Sequence, residues 1–153
     1  MRVHVFSIAR RPPAWAEAAC EDYRKRFGPG LELRLREFAP KAAATVAQQR
    51  EREAEMLLRA MPAAAHIVAL DERGEAWSTA ELTGRLQRWR EEAQEVVFAI
   101  GGAEGHGAAL RAAAHMSWSL SRLTLPHALA RVLVVEQLYR AWSLLHNHPY
   151  HRA

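Results

Sequence analysis

The spacing of apolar residues changes period several times along this chain. Val3 to Ile8 is short and nearly continuous, which predicts a first strand. Pro12-Pro13 opens a helix, because a proline in the first turn gives up an N–H that has no partner there. Trp15, Ala19, Tyr23 and Phe27 follow at helical spacing, and Gly28-Pro29-Gly30 ends that helix. Leu31 to Phe38 alternates with period two, as a half-exposed strand near a sheet edge does. It puts Arg34 and Arg36 on one solvated face.

From about residue 43 to 60 the chain is rich in Ala, Gln, Arg and Glu. It reads as a polar helix with Val46, Met56 and Leu57 as its main large apolar residues. His66 to Leu70 predicts a buried strand running into Asp71-Glu72-Arg73-Gly74, a turn signal. Ser78-Thr79-Ala80-Glu81 is a capping box that opens a helix through Leu82, Leu86 and Trp89. Val96 to Ile100 is a strand, Ala108 to Ala114 a short helix and Met116 to Leu120 a last short strand. A final helix runs from about His127 to Leu145. The alternation predicts one α/β domain over residues 1–153, a mostly parallel sheet with helices on both faces.

Composition narrows the class. The chain has 153 residues, half apolar and a quarter charged, enough for a single core. No apolar run approaches the roughly 20 residues of a spanning helix. The apolar stretch before Arg10-Arg11-Pro12-Pro13 is too short for a secretory signal, so a cytoplasmic protein with no membrane segment is expected. Cys20 stands alone, in keeping with a reducing compartment, and reads as a packing residue. The net charge is +4 and nearly all of it is arginine, Lys25 and Lys41 being the only lysines. That balance is compatible with a polyanionic partner without establishing one.

In open parallel sheets ligands bind beyond the carboxyl ends of the strands. Three such ends stand out: Leu70-Asp71, Gly101-Gly102, and Leu120 to Pro126. Glycine at the second lets backbone amides approach a ligand. Gly101-Gly102-Ala103-Glu104-Gly105 lacks the dinucleotide spacing and there is no Walker lysine, which argues against nicotinamide or nucleoside triphosphate. Leu123-Thr124-Leu125-Pro126 is an apolar loop that either packs under something or lines an apolar pocket.

The first half of the last helix is apolar around most of its circumference and needs cover on two sides. A second subunit in a two-fold dimer supplies it best. His146, His148 and His151 have no companion cysteine and no i, i+4 pair, so no metal site is expected.

Three segments together carry a resemblance: Gly101 to Gly105, Ser119 to His127, and Leu138 to Trp142 with the ending Asn147-His148-Pro149-Tyr150-His151-Arg152. They closely resemble the bacterial ribosomal large subunit pseudouridine N3-methyltransferases, minimal members of the SPOUT class. The likeness also takes in Pro13-Ala14-Trp15 and Tyr23 to Phe27.

The resemblance implies a C-terminal trefoil (α/β) knot, a homodimer, and S-adenosylmethionine bound in the knot. It implies a cofactor site at Leu70, Gly101, Gly102 and the loop Leu120, Ser121, Arg122, Leu123, Thr124, Leu125 and Pro126. The substrate would be a pseudouridine in a 23S rRNA stem-loop on the assembled ribosome. His151, Tyr150 and Arg152 are the implied catalytic group, and His127, Arg131 and Arg140 the implied substrate contacts. His127 and Arg131 also stand as candidates for receiving or polarising the N3 proton. Two departures are visible: Ala103 stands where relatives often carry proline, and Lys41 to Ala54 is poorer in lysine and glycine than expected. Another RNA target within the same class, or a ribosome-associated RNA-binding protein without activity, is the alternative.

Overall fold

The computed structural model describes residues 1–152. Five parallel strands form one sheet in the order β2-β1-β4-β3-β5: β1 Arg2–Ile8, β2 Glu32–Phe38, β3 His66–Ala76, β4 Val96–Ile100 and β5 Met116–Ser119. Helices α1 Ala14–Arg26, α2 Val46–Ala60, α3 Thr79–Glu91, α4 Ala108–Ala113 and α5 His127–Leu145 connect or follow them, and a short 3-10 turn, Pro149–Arg152, ends the described chain.

Strand pleating sorts the core into two layers. Val3, Val5, Val96, Phe98 and Ile100 face α1, α3 and α5, where Leu82, Leu86, Val134 and Leu138 meet them. Phe6, Ile8, Val97 and Ala99 face the other way, onto Ala54 and Leu57 of α2 and Leu110 of α4. Both faces of the central strands are therefore dry, and β4 is buried at every position.

Several expectations shift by a turn or less. The second helix starts at Val46, because the Thr45 hydroxyl accepts from the Gln48 N–H at 3.1 Å and fixes the N-cap there. In α1 the inward face is Ala16 and Cys20, with Trp15 exposed. The capping box is present: Ser78 Oγ accepts from Glu81 N–H and Glu81 returns the bond to Ser78 N–H at 2.6 Å. Arg34 and Arg36 are both exposed at the β2 edge, the first on Glu32 and the second over the Phe38 ring.

The largest departure is at Asp71-Glu72-Arg73-Gly74. These residues do not end β3. They bulge out of it, and the strand resumes at Glu75, so Leu70 and Glu75 both pair with Trp118 of β5. A Cβ on Gly74 would lie 2.7 Å from the Ser117 carbonyl carbon, which explains why glycine stands where this excursion crosses β5. Periodicity cannot reveal an interrupted strand, since it sees the turn residues and not the ladder beyond them.

Candidate active site

A cavity of about 620 Å³ opens beyond the carboxyl ends of β3, β4 and β5. Its floor includes Leu70, Ile100, Trp118 and Ser119, with Asp71 to Arg73 of the β3 excursion at its side. Gly101 and Gly102 form one wall and the segment from Leu120 to Pro126 another, with Arg122 exposed and outside the lining. His127 and Ala130 close it from the first turn of α5. The first intrahelical bond of α5 runs from Ala130 N–H to the Pro126 carbonyl at 3.0 Å, so the N–H groups of His127, Ala128 and Leu129 have no intrahelical acceptor and give this side of the cavity a partial positive charge.

Local hydrogen bonds shape the apolar loop. Ser119 Oγ donates to the Ser121 carbonyl at 3.0 Å, and Ser121 Oγ accepts from the Leu123 N–H at 2.9 Å. The two serines fold the loop on itself, which leaves Leu123 73 % exposed at the rim.

The glycine loop is held from behind. Arg50 of α2 donates through Nε to the Glu104 carbonyl at 2.6 Å. His106 is buried, and its Nε2–H donates to the Ala99 carbonyl at 3.0 Å. Burial holds its pKa below the ordinary value, against the opposing pull of that carbonyl and of Asp71. The ring is thus neutral at pH 7. Opposite the glycines, Asp71 sits 3.5 Å from Arg111 and 3.8 Å from Arg73, so both cations and their carboxylate line the polar rim.

The remaining sequence-derived residues lie elsewhere in the chain. Arg131 is buried under α5 and ion-paired with Glu37 at 2.7 Å. Arg140 binds Glu136 at 2.8 Å and lies over the Tyr150 ring. Tyr150 packs on Tyr139, and its hydroxyl donates to Glu136 at 3.1 Å. Burial, together with the bonds from Tyr23 and to Glu136, pushes this phenol well above its usual pKa. His151 keeps Nδ1 buried with no partner among the described residues, and Arg152 is exposed. None of Arg131, Arg140, Tyr150, His151 or Arg152 lines the cavity of its own chain.

The sequence matches the family described as Predicted SPOUT methyltransferase over residues 1–151. The chain belongs to the SPOUT methyltransferase family. With that membership come the enzyme class and the trefoil knot of the C-terminal half. Relatives named Ribosomal RNA large subunit methyltransferase H align end to end. The protein of Cupriavidus metallidurans is 45% identical over 159 residues, covering 100% of both chains. That of Burkholderia mallei is 41% identical over 156 residues with the same coverage. That of Paraburkholderia xenovorans is 43% identical over 159 residues, covering 99% of each.

In this SPOUT chain the strand-end signals found the centre of the cavity but missed its supports. Arg50, His106 and Arg111 carry no local motif, whereas Asp71 was already marked by the Leu70-Asp71 strand end. The others are adjacent to the cavity only because α2 and α4 pack together on the same sheet face.

Proposed function

We propose that the protein methylates N3 of a pseudouridine in a 23S rRNA stem-loop on the assembled ribosome, with S-adenosylmethionine as donor. The observation that carries this reading is the single cavity built from the glycine loop, the Leu120–Pro126 segment and the start of α5 in a SPOUT chain. The end-to-end likeness to proteins named as large subunit rRNA methyltransferases supports the substrate class.

The cavity suits the donor chemically. Its volume of about 620 Å³ lies within the ordinary range for small-molecule sites. Leu70, Ile100, Leu120 and Leu125 offer an apolar slot for a flat base, and the backbone around Gly101 and Gly102 offers amides. Asp71, Arg73 and Arg111 supply charges for the polar end. When bound, the donor supplies an electrophilic methyl carbon on a sulfonium.

The rest falls to the chain's own residues. N3 must lose its proton and present its lone pair in line with the C–S bond, so orientation supplies much of the rate. His127 lies on the cavity wall and is the same-chain group positioned to take or relay the N3 proton. His151 and Arg152, beyond a Tyr150 held by its own chain, reach a cavity only across a dimer, one subunit's tail over the other's donor site. Half-buried Leu129 and Leu133 on α5, with exposed Leu123 in the preceding loop, offer apolar surface for such a homodimer. Arg131 and Arg140 then serve by holding α5 and the tail rather than by direct contact with substrate. The enzyme would act in the cytoplasm, where its substrate is.

The test is methyl incorporation from labelled S-adenosylmethionine into ribosomes lacking the modification, with free rRNA alongside. Incorporation at one pseudouridine, abolished by Gly102→Trp, is expected. No incorporation, with donor binding intact by calorimetry, would sink the substrate assignment and leave the cofactor assignment standing.

A further inference from the structure

We propose that Glu53 is a positioning residue for the donor site, its free carboxylate oxygen serving as acceptor for a glycine-loop amide when the donor is bound. The proposal rests on the donor-site reading above.

Glu53 lies on α2 and is only 2 % exposed. Its Oε2 accepts the Lys41 N–H at 3.1 Å and the Gln49 side-chain amide at 3.3 Å. Its Oε1 is equally buried and has no partner among the described residues. That oxygen is aimed at the back of the glycine loop: a Cβ built on Gly102 would stand 3.5 Å from it, and 3.3 Å from Ile8 Cγ2.

A buried carboxylate oxygen without a hydrogen bond is costly. The cost is tolerable if the missing bond forms in the working state. The backbone that Oε1 faces is Gly102, and amide N–H groups are the donors suited to a carboxylate.

The neighbourhood makes the loop responsive to this helix. One turn before Glu53, Arg50 holds the Glu104 carbonyl, and the Arg50 carbonyl would lie 2.5 Å from a Cβ on Gly107. Residues 101–107 therefore rest on a single face of α2. With Oε1 this close to Gly102, only a small adjustment of the loop would be needed to complete its hydrogen bonding. The other oxygen meanwhile keeps Lys41, at the exposed start of the 41–45 segment, in register with the same loop.

The experiment measures S-adenosylhomocysteine affinity by calorimetry on the intact protein, for wild type, Glu53→Gln and Glu53→Ala. Glu53→Gln preserves shape and guards against misfolding of the alanine variant; circular dichroism confirms folding of both. The lost charge-assisted bond predicts roughly tenfold weaker binding for Glu53→Ala, and a smaller loss for Glu53→Gln. Donor KM rises in parallel, while kcat and the KM for ribosomes move less than about twofold. Combining Glu53→Gln with Gly102→Ala gives a smaller penalty than the sum of the two, as for groups in contact. Folded variants that bind within twofold of a binding wild type overturn the proposal, even if their melting temperatures fall. A wild type that does not bind the ligand at all overturns the donor-site reading and this proposal with it.

Discussion

The hydroxyl groups of Tyr23 and Tyr150 lie 2.9 Å apart, tying α1 to the C-terminal tail across 127 positions of sequence. Tyr150 spends its proton on Glu136, so Tyr23 is the donor in that pair. The ring of Tyr150 also stacks edge-on with Tyr139 at 4.7 Å and lies under Arg140. Tyr150 is thus locked to its own chain, while Arg152 beyond it is exposed.

Removing either hydroxyl should loosen the tail without unfolding the domain. Tyr23→Phe is expected to cost about 1 kcal/mol, the usual net value of one hydrogen bond, and Tyr150→Phe, which removes two, about 2 kcal/mol, both read from urea denaturation. Because the phenol's pKa is raised, Tyr150 cannot act as a phenolate base at neutral pH. The pH–rate profile of Tyr150→Phe should keep the wild-type shape below about pH 10.

Arg131 and Glu37 form an ion pair with the arginine side chain 7% exposed. Taking away one partner strands the other. Arg131→Ala is expected to destabilise the fold by about 3 kcal/mol, whereas Arg131→Met with Glu37→Leu recovers much of that loss. Thermal melts of the two variants check this. A folded Arg131→Ala that binds rRNA weakly at unchanged stability would instead favour direct substrate contact.

Gly74 is the crossing point between the β3 excursion and β5. Gly74→Ala drives its Cβ against Ser117 and Trp118 backbone, which cannot rotate away. The expected cost is about 2 kcal/mol or more, with donor affinity falling as well because Asp71 and Arg73 on the excursion line the cavity. Denaturant midpoints and calorimetry read the two effects separately.

Stability should depend on two histidines. His66 has its pKa lowered by burial and by the stacked His115, 4.6 Å away, and His106 chiefly by burial. A lowered folded pKa means that the unfolded chain binds the proton more readily. Stability is therefore complete well above about pH 6.5 and is lost as pH falls through that value. The midpoint of unfolding should drop between about pH 7 and 5.5, and His106→Leu combined with His66→Phe should flatten that slope. An unchanged slope would assign it to other groups.

Much of this architecture was readable from residue order because its signals are local. The Val96–Ile100 run is buried on both faces, and Ser78 with Glu81 forms a reciprocal cap. Both depend on neighbours a few positions away, which the chain itself supplies. The glycine pair and the Leu120–Pro126 segment were legible as strand-end loops for the same reason, and they do share one cavity.

Other features exist only once distant segments meet. The β3 ladder resumes after Gly74 because β5 lies alongside it. Arg131, which the resemblance marks as a substrate contact, also pairs with Glu37 because β2 brings that carboxylate to α5. Arg50, Glu53 and His106 surround the glycine loop because α2 and α4 share one sheet face. Most elements, the strand-end loops and the family likeness could be read from residue order, since short-range sterics and capping decide them, whereas the second half of β3 could not. Tertiary structure alone decided which charges are buried, which are paired and which reach the cavity, because burial and Coulomb energy depend on distances in space rather than along the chain.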